Sequence, residues 1–231
     1  MLTLGIETAT HVCSVALFED KRLLDHRSTE QPRSHAAQLV PLVGQLLDDT
    51  GNTPMALDLI AVSAGPGSYT GLRIGASTAK GLAFSADAAL VAVPSLEAMA
   101  LSAWLEDRNT PNSIVAVFPS RRGEVYVAAY SVEENLTRCI SEPAAISLED
   151  IANWLPDGPL TFAGPAAEIV TQAAETANPD GGITISYAKP SAVAVARLGL
   201  QRYKNGFMEN VAEWEPFYLK SFVAKPPKPI F

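Results

Sequence analysis

The sequence of 231 residues predicts an α/β protein in which one order of elements occurs twice. Three observations support this fold class. Short strands form a meander at the N-terminus, apolar residues recur at helical spacing over 34–49, and a glycine-rich loop joins a buried strand to a second helix. The alternation of strands and helices after the meander is typical of an α/β fold.

The first half of the chain has the predicted order βββαβαβα. Turn-prone or charged residues separate the opening strands, and Ser34 is the predicted N-cap of the first helix, which Pro41 is expected to kink. The predicted strands lie at 2–7, 12–18, 22–27, 57–63 and 90–93, and the predicted helices at 34–49, 71–84 and 95–105.

The second half repeats this plan in outline. Its predicted strands lie at 114–118, 125–132, 136–140 and 160–163, and its predicted helices at 147–154, 166–177 and 191–204. Two such halves suggest a duplicated actin-like or RNase-H-like fold, with halves at 1–108 and 109–213. The proline-containing segment 214–231 is expected to be extended and partly mobile.

The loop at 64–75 reads AGPGSYTGLRIG and has glycine at positions 65, 67, 71 and 75. Two interpretations stay open. Backbone N–H groups ahead of a helix suit an anion, so Gly65, Gly67 and Ser68 are candidate phosphate contacts. Alternatively, the glycines only permit a tight turn and close helix packing. The loop is not a Walker A motif, because leucine and arginine follow its third glycine, and it lacks both the GxGxxG and the GxSxG spacing.

Composition excludes several functional classes. A formal net charge of -8 argues against broad electrostatic binding of nucleic acid by this chain alone. Cys13 and Cys139 lack CxxC spacing, which argues against a disulfide scaffold or a structural zinc and favours a reducing cytoplasm. The N-terminus lacks a signal-like segment and the chain has no long apolar run, so neither secretion nor membrane insertion is expected.

Six segments follow one another along the chain as they do in the TsaB family. They are IETATHVCSVAL, SHAAQLVPLV, AGPGSYTGLRIG, VPSLEAMA, RRGEVY and EPFYLK. This family of bacterial tRNA threonylcarbamoyladenosine biosynthesis proteins was once grouped with glycoproteases. The resemblance runs from Leu2 to about Lys220, and its glycine motif is highly specific. It implies the actin-like fold.

The resemblance also implies a function and partners. A TsaB protein is expected to be a non-catalytic partner in forming N6-threonylcarbamoyladenosine at position 37 of ANN-decoding tRNAs. It would bind and activate TsaD, which transfers the threonylcarbamoyl group from its adenylate, and would cooperate with the ATPase TsaE. ATP and metal would then belong to the partner subunits, and tRNA would be contacted only through the complex.

The chain offers few residues for chemistry of its own. Glu7 stands where the family most often has Asp, and a structural role is favoured because the longer side chain alters metal geometry. TsaD binds its catalytic metal with a His-x-x-x-His pair, and the resemblance places Ser95 and Met99 at those positions. A serine at a helix N-cap and an apolar methionine are poor ligands for such a metal. Three histidines without an HExxH pattern give no recognisable peptidase site.

The first two helices predict a docking surface. Apolar positions cover roughly 160° of the first helix, more than the ~100° that one core face needs. A glycine and alanine stripe on the second helix lets another backbone approach, although packing within the chain explains it equally well. The resemblance implies pairing through these helices with TsaD, or with a second copy as a homodimer. The predicted contacts are Leu39, Val43, Leu46, Leu72 and Gly75.

Two further expectations follow from charge. In the alternative function, a stand-alone actin-like phosphotransferase that uses ATP, Glu7 would manage magnesium and the glycine loop would hold phosphate. Arg73 lies near the start of the second helix, where a positive charge opposes the helix dipole. An anionic neighbour, a carboxylate rather than a phosphate, is therefore expected beside Arg73.

Overall fold

The computed structural model describes residues 1–31, 34–110, 113–133, 136–177 and 182–220. Two five-stranded mixed sheets form its framework. The first sheet consists of β1 (Leu2–Glu7), β2 (Cys13–Glu19), β3 (Arg22–Thr29), β4 (Leu59–Ser63) and β5 (Ala89–Val93). The second consists of β6 (Ser113–Pro119), β7 (Glu124–Glu133), β8 (Leu136–Ser147), β9 (Leu160–Ala163) and β10 (Ile183–Ser186).

Helices connect and cover the two sheets. They are α1 (His35–Asp49), α2 (Tyr69–Ala86), α3 (Ser95–Glu106), α4 (Ile151–Trp154), α5 (Ala167–Ala177) and α6 (Ala192–Lys204), with a 3₁₀ turn at Pro54–Ala56. None of the helices in the described ranges is both long and apolar enough to cross a membrane.

The two sheets have the same topology. Their strand orders are β3-β2-β1-β4-β5 and β8-β7-β6-β9-β10. In each sheet the first three strands pair antiparallel, and the later two run parallel to the first and to each other. The predicted duplicated α/β fold is therefore confirmed, and β10 is the strand that the sequence analysis missed.

The central helices cross between the halves. Helix α3 packs against β6, β7, β8 and β9 of the second sheet, whereas α6 packs against β1, β2, β4 and β5 of the first. The largest buried cluster accordingly mixes Met99 from α3 and Leu198 from α6 with strand residues of both sheets. This shared core joins the two halves.

Three local predictions need correction. Ser34 occupies the N-cap position of α1, but its Oγ donates to the Gln31 carbonyl oxygen and does not cap the helix. Ser95 is the first helical residue of α3, with Pro94 at the N-cap. The helix expected at 147–154 is only the short α4, because β8 continues to Ser147 and a turn follows it.

Candidate functional site

The glycine loop packs directly onto the turn that follows β1. A Cβ atom built on Gly67 would lie 2.3 Å from the Ala9 carbonyl oxygen, and one on Gly71 would lie 2.1 Å from the Thr8 carbonyl oxygen. One on Gly75 would lie 2.2 Å from Thr8 Oγ1. No side chain fits at such distances, so close packing within the chain explains these glycines.

Hydrogen bonds within the chain occupy several N–H donors of this loop. The Gly65 N–H donates to Ser95 Oγ at 2.9 Å, and the Gly71 N–H donates to Ser68 Oγ at 3.2 Å. The Ser68 N–H donates to the Ala9 carbonyl oxygen at 2.7 Å. The N–H groups of Gly65 and Ser68, two of the three predicted phosphate contacts, thus already have partners within the chain and are not free for an anion.

A cleft of about 830 Å³ lies between the two halves. Gly67, Ser68 and the turn after β1 form part of one wall, and residues that follow β6, including Ser120 and Arg121, form part of the other. Of the predicted cofactor contacts, Gly67 and Ser68 thus line the cleft. Gly65 and Glu7 are absent from its lining.

Glu7 is fully buried at the end of β1. Its Oε1 accepts a hydrogen bond from the Ala9 N–H at 2.6 Å, while its Oε2 has no partner among the described residues. Burial raises the pKa of Glu7 to about 7, against the lowering effect of its hydrogen bonds with Ala9 and Ser63. A carboxyl group in this position is neutral below that pH and supports the backbone of the turn.

Ser95 and Met99 have structural contacts. Ser95 Oγ accepts the Gly65 N–H, as described above, and thereby fixes the start of the glycine loop. Met99 is fully buried in the shared core between the sheets. Within the described ranges, no group of three or more His, Cys, Asp or Glu side chains is placed to hold a metal ion.

The five predicted docking residues do not lie on the surface. Leu39, Val43 and Leu46 of α1 pack against the first sheet and α2 in one buried cluster. Leu72 is fully buried, and Gly75 is covered by Thr8. Most of the wide apolar arc on α1 is buried within the chain, against the first sheet and α2, whereas Val40 of the same arc is 62% exposed. A partner that docks on these helices must contact other residues.

The segment 214–220, expected to be partly mobile, is attached to both halves. Lys80 Nζ on α2 donates to the Trp214 carbonyl oxygen at 3.0 Å, and the Phe217 N–H donates to the Ala64 carbonyl oxygen at 2.7 Å. Lys220 forms an ion pair with Glu124 at the start of β7. Phe217 and Lys220 both belong to the EPFYLK segment, which the sequence analysis used only for the family resemblance. The rest of the predicted tail, 221–231, lies outside the described residues.

Arg73 has a partner different from the expected carboxylate. Its Nη1 donates to the Tyr69 hydroxyl at 2.7 Å, and its guanidinium lies 5.4 Å from the centre of the Tyr69 ring. No carboxylate forms an ion pair with Arg73 in the part of the chain that the structure describes. The Tyr69 hydroxyl brings no negative charge to Arg73.

The fold is that of the actin-like class of proteins. The features that define it are two sheets of equal topology, central helices that cross between the halves, and a cleft between them. The family model for TsaD, described as tRNA N6-adenosine threonylcarbamoyltransferase, matches residues 23–204. The activator of 2-hydroxyisocaproyl-CoA dehydratase from Clostridium difficile shares the fold, with a TM-score of 0.51 at 10% identity over 89% of this chain and 97% of that one.

Two comparisons define the family more narrowly. The tRNA threonylcarbamoyladenosine biosynthesis protein TsaB of Escherichia coli K12 is 31% identical over 229 residues, which cover 97% of this chain and 96% of the relative. YeaZ from Pseudomonas aeruginosa has a TM-score of 0.84 at 28% identity and covers 94% of this chain and 99% of its own. The chain belongs to the TsaB family.

Proposed function

We propose that this chain is a non-catalytic partner subunit required for threonylcarbamoyladenosine formation in tRNA. The name shared by its TsaB relatives supports a role in this biosynthesis. The match to the TsaD family model fits an association with a related, catalytic chain. In this proposal the chain binds and activates TsaD and cooperates with TsaE.

One observation carries the proposal. The family resemblance places Ser95 and Met99 at the positions of the metal-binding histidines of TsaD, and both have structural contacts in this chain. Glu7 stands at the position where the family most often has Asp. It is buried and does not line the cleft. A cleft without these groups has no evident means of activating a substrate, so we assign catalysis, ATP and metal to the partner subunits.

The outer faces of α1 and α2 are the proposed docking surface. Val40 on α1 is 62% exposed, and Phe84 on α2 is 84% exposed, the highest value among the exposed large apolar side chains of the described residues. Other exposed positions on the same faces include Pro41 and Gly44 of α1 and Gly81 of α2, all without charge. A second copy would use this surface when TsaD is missing, which gives a homodimer.

The remaining assignments follow from this arrangement. The halves 1–108 and 109–213 act as one unit through their crossed helices, and TsaD docks on the first half. A net charge of -8 favours contact with tRNA through the complex and not through this chain alone. The proposed location is the cytoplasm, where tRNA modification takes place.

Sedimentation of the purified chain, alone and mixed with purified TsaD, tests the docking proposal. We expect a homodimer alone and a heterodimer with TsaD, and we expect Phe84→Glu to weaken both. Ile169→Glu is the matched control, because Ile169 is 49% exposed and lies on α5 in the second half of the chain. A wild-type chain that never associates with TsaD would overturn the proposal.

The cleft of about 830 Å³ is the observation that favours the alternative, a stand-alone phosphotransferase. An assay of ATP hydrolysis and phosphate transfer by the purified chain separates the two functions. We expect no turnover above buffer. Turnover that Glu7→Gln abolishes would establish the alternative and overturn the proposal of a non-catalytic subunit.

A further inference from the structure

A groove of about 330 Å³ runs between α2 and the C-terminal segment 214–218. Arg73 and Lys80 contribute positive charge from the helix, while Trp214 and Tyr218 contribute aromatic surface from the segment. The rings of Tyr69 and Tyr218 are 5.0 Å apart between centres. Glu215 adds one carboxylate to the lining, so the groove has two positive charges and one negative charge on a chain that carries a net charge of -8.

The two cations of the groove are in different situations. Lys80 donates to the carbonyl oxygens of Ala212 and Trp214, each at 3.0 Å, and so holds the segment in place. Arg73 is exposed and makes a hydrogen bond with the neutral Tyr69 hydroxyl. Because a guanidinium has five N–H donors in a planar fork, this single bond leaves most of its donors directed to solvent.

We propose that this groove receives an acidic side chain from a partner protein, whose carboxylate pairs with the Arg73 guanidinium. A carboxylate here compensates the positive charge that Arg73 brings to the N-terminal part of α2. The inference rests on the proposed function, since TsaD is the protein expected to dock on α2, and it adds the chemistry of one contact.

The size and charge of the groove favour an acidic side chain over a nucleic acid. A volume of about 330 Å³ suits one or two side chains and not a polynucleotide. Glu215 also lines the groove and would repel a chain of phosphates more strongly than a single carboxylate. A protein segment that presents one Asp or Glu satisfies both conditions.

The affinity of purified TsaD for Arg73 variants of the full chain tests the inference, measured at low and at high NaCl concentration. We expect Arg73→Ala to weaken binding by about tenfold and to reduce its salt dependence, because a charged pair has been removed. Arg73→Lys keeps the charge and should lose less affinity.

Arg22→Ala is the matched control, because it removes an exposed arginine at the first position of β3, in the strand at the edge of the first sheet. Equal affinity and equal salt dependence for wild type and Arg73→Ala would overturn the inference while leaving the proposed function intact. Unchanged affinity for TsaD with weaker binding of a tRNA transcript would assign the groove to nucleic acid instead. A wild-type chain that does not bind TsaD would overturn both proposals.

Discussion

The carbonyl oxygen of Phe217 occupies the space in which a side chain on Gly65 would begin. A Cβ atom built on Gly65 would lie 2.3 Å from that oxygen, and Gly65 has a φ of +109°. The Phe217 N–H donates to the neighbouring Ala64 carbonyl oxygen at 2.7 Å. The C-terminal segment thus packs so closely on the glycine loop that position 65 has no room for a side chain, although about 150 residues separate the two in the sequence.

Gly65→Ala is expected to destabilise the protein by about 2–4 kcal/mol. The substitution adds a steric clash with Phe217 to the strain of a positive φ on a residue with a side chain. Urea unfolding of both proteins measures the difference. Gly44→Ala is the control, because nothing lies within 4 Å of a Cβ at that exposed helical position. Equal stabilities for wild type and Gly65→Ala would contradict the close contact between Gly65 and the Phe217 carbonyl oxygen.

Gly75→Ala is expected to lower the free energy of unfolding by about 1–3 kcal/mol, because its Cβ would lie 2.2 Å from Thr8 Oγ1. Gly81 lies on the same helix and has open space around it. Gly81→Ala should therefore be neutral or stabilise the protein by up to ~1 kcal/mol. Thermal unfolding of the two variants makes the comparison. If Gly75→Ala instead altered only association between chains, the contact with Thr8 would not be the reason for this glycine.

Glu7 predicts a pH dependence of stability. Its pKa is about 7 in the folded protein and near 4.5 when unfolded, so the folded state binds more protons between these values. The Glu7 contribution to stability is therefore greatest below pH 4.5, falls as the pH rises, and levels off above pH 7. Glu7→Gln mimics the neutral carboxyl and removes this slope.

Urea unfolding of wild type and Glu7→Gln at pH 5 and pH 8 measures the effect. The variant should gain about 2.5 kcal/mol relative to wild type between these pH values, since one pKa unit corresponds to about 1.4 kcal/mol and part of the effect lies below pH 5. Other titrating groups are common to both proteins and cancel in the difference. If the free energies of unfolding of wild type and Glu7→Gln changed equally with pH, Glu7 would be ionised in the folded protein from pH 5 to pH 8.

The sequence predicted most elements because their signals are local. The spacing of Leu39, Val43 and Leu46 defines α1 without knowledge of its neighbours. β10 was missed although β9, which is equally short, was predicted. All four residues of β9 are buried, whereas β10 (Ile183–Ser186) is an edge strand with no fully buried residue. The crossing of α3 and α6 between the sheets depends on contacts distant in sequence, which periodicity does not report.

The candidate site was harder to predict than the fold. Glycine spacing indicated close approach but not the partner, which proved to be the Thr8–Ala9 turn and Phe217 of the same chain. The width of the apolar arc on α1 indicated more than one buried surface, and most of the arc packs within this chain. Residues left outside, such as Val40 and Phe84, are single apolar positions that only the folded structure distinguishes from the core.

The central claim is that the chain acts by docking on TsaD and not by chemistry of its own. The rate of threonylcarbamoyladenosine formation by TsaD and TsaE, measured with increasing amounts of this chain, tests it most directly. We predict stimulation by wild type and by Glu7→Gln, and strongly reduced stimulation by Phe84→Glu, which changes an exposed residue of α2. Full stimulation by Phe84→Glu together with loss of stimulation by a folded Glu7→Gln would contradict the claim.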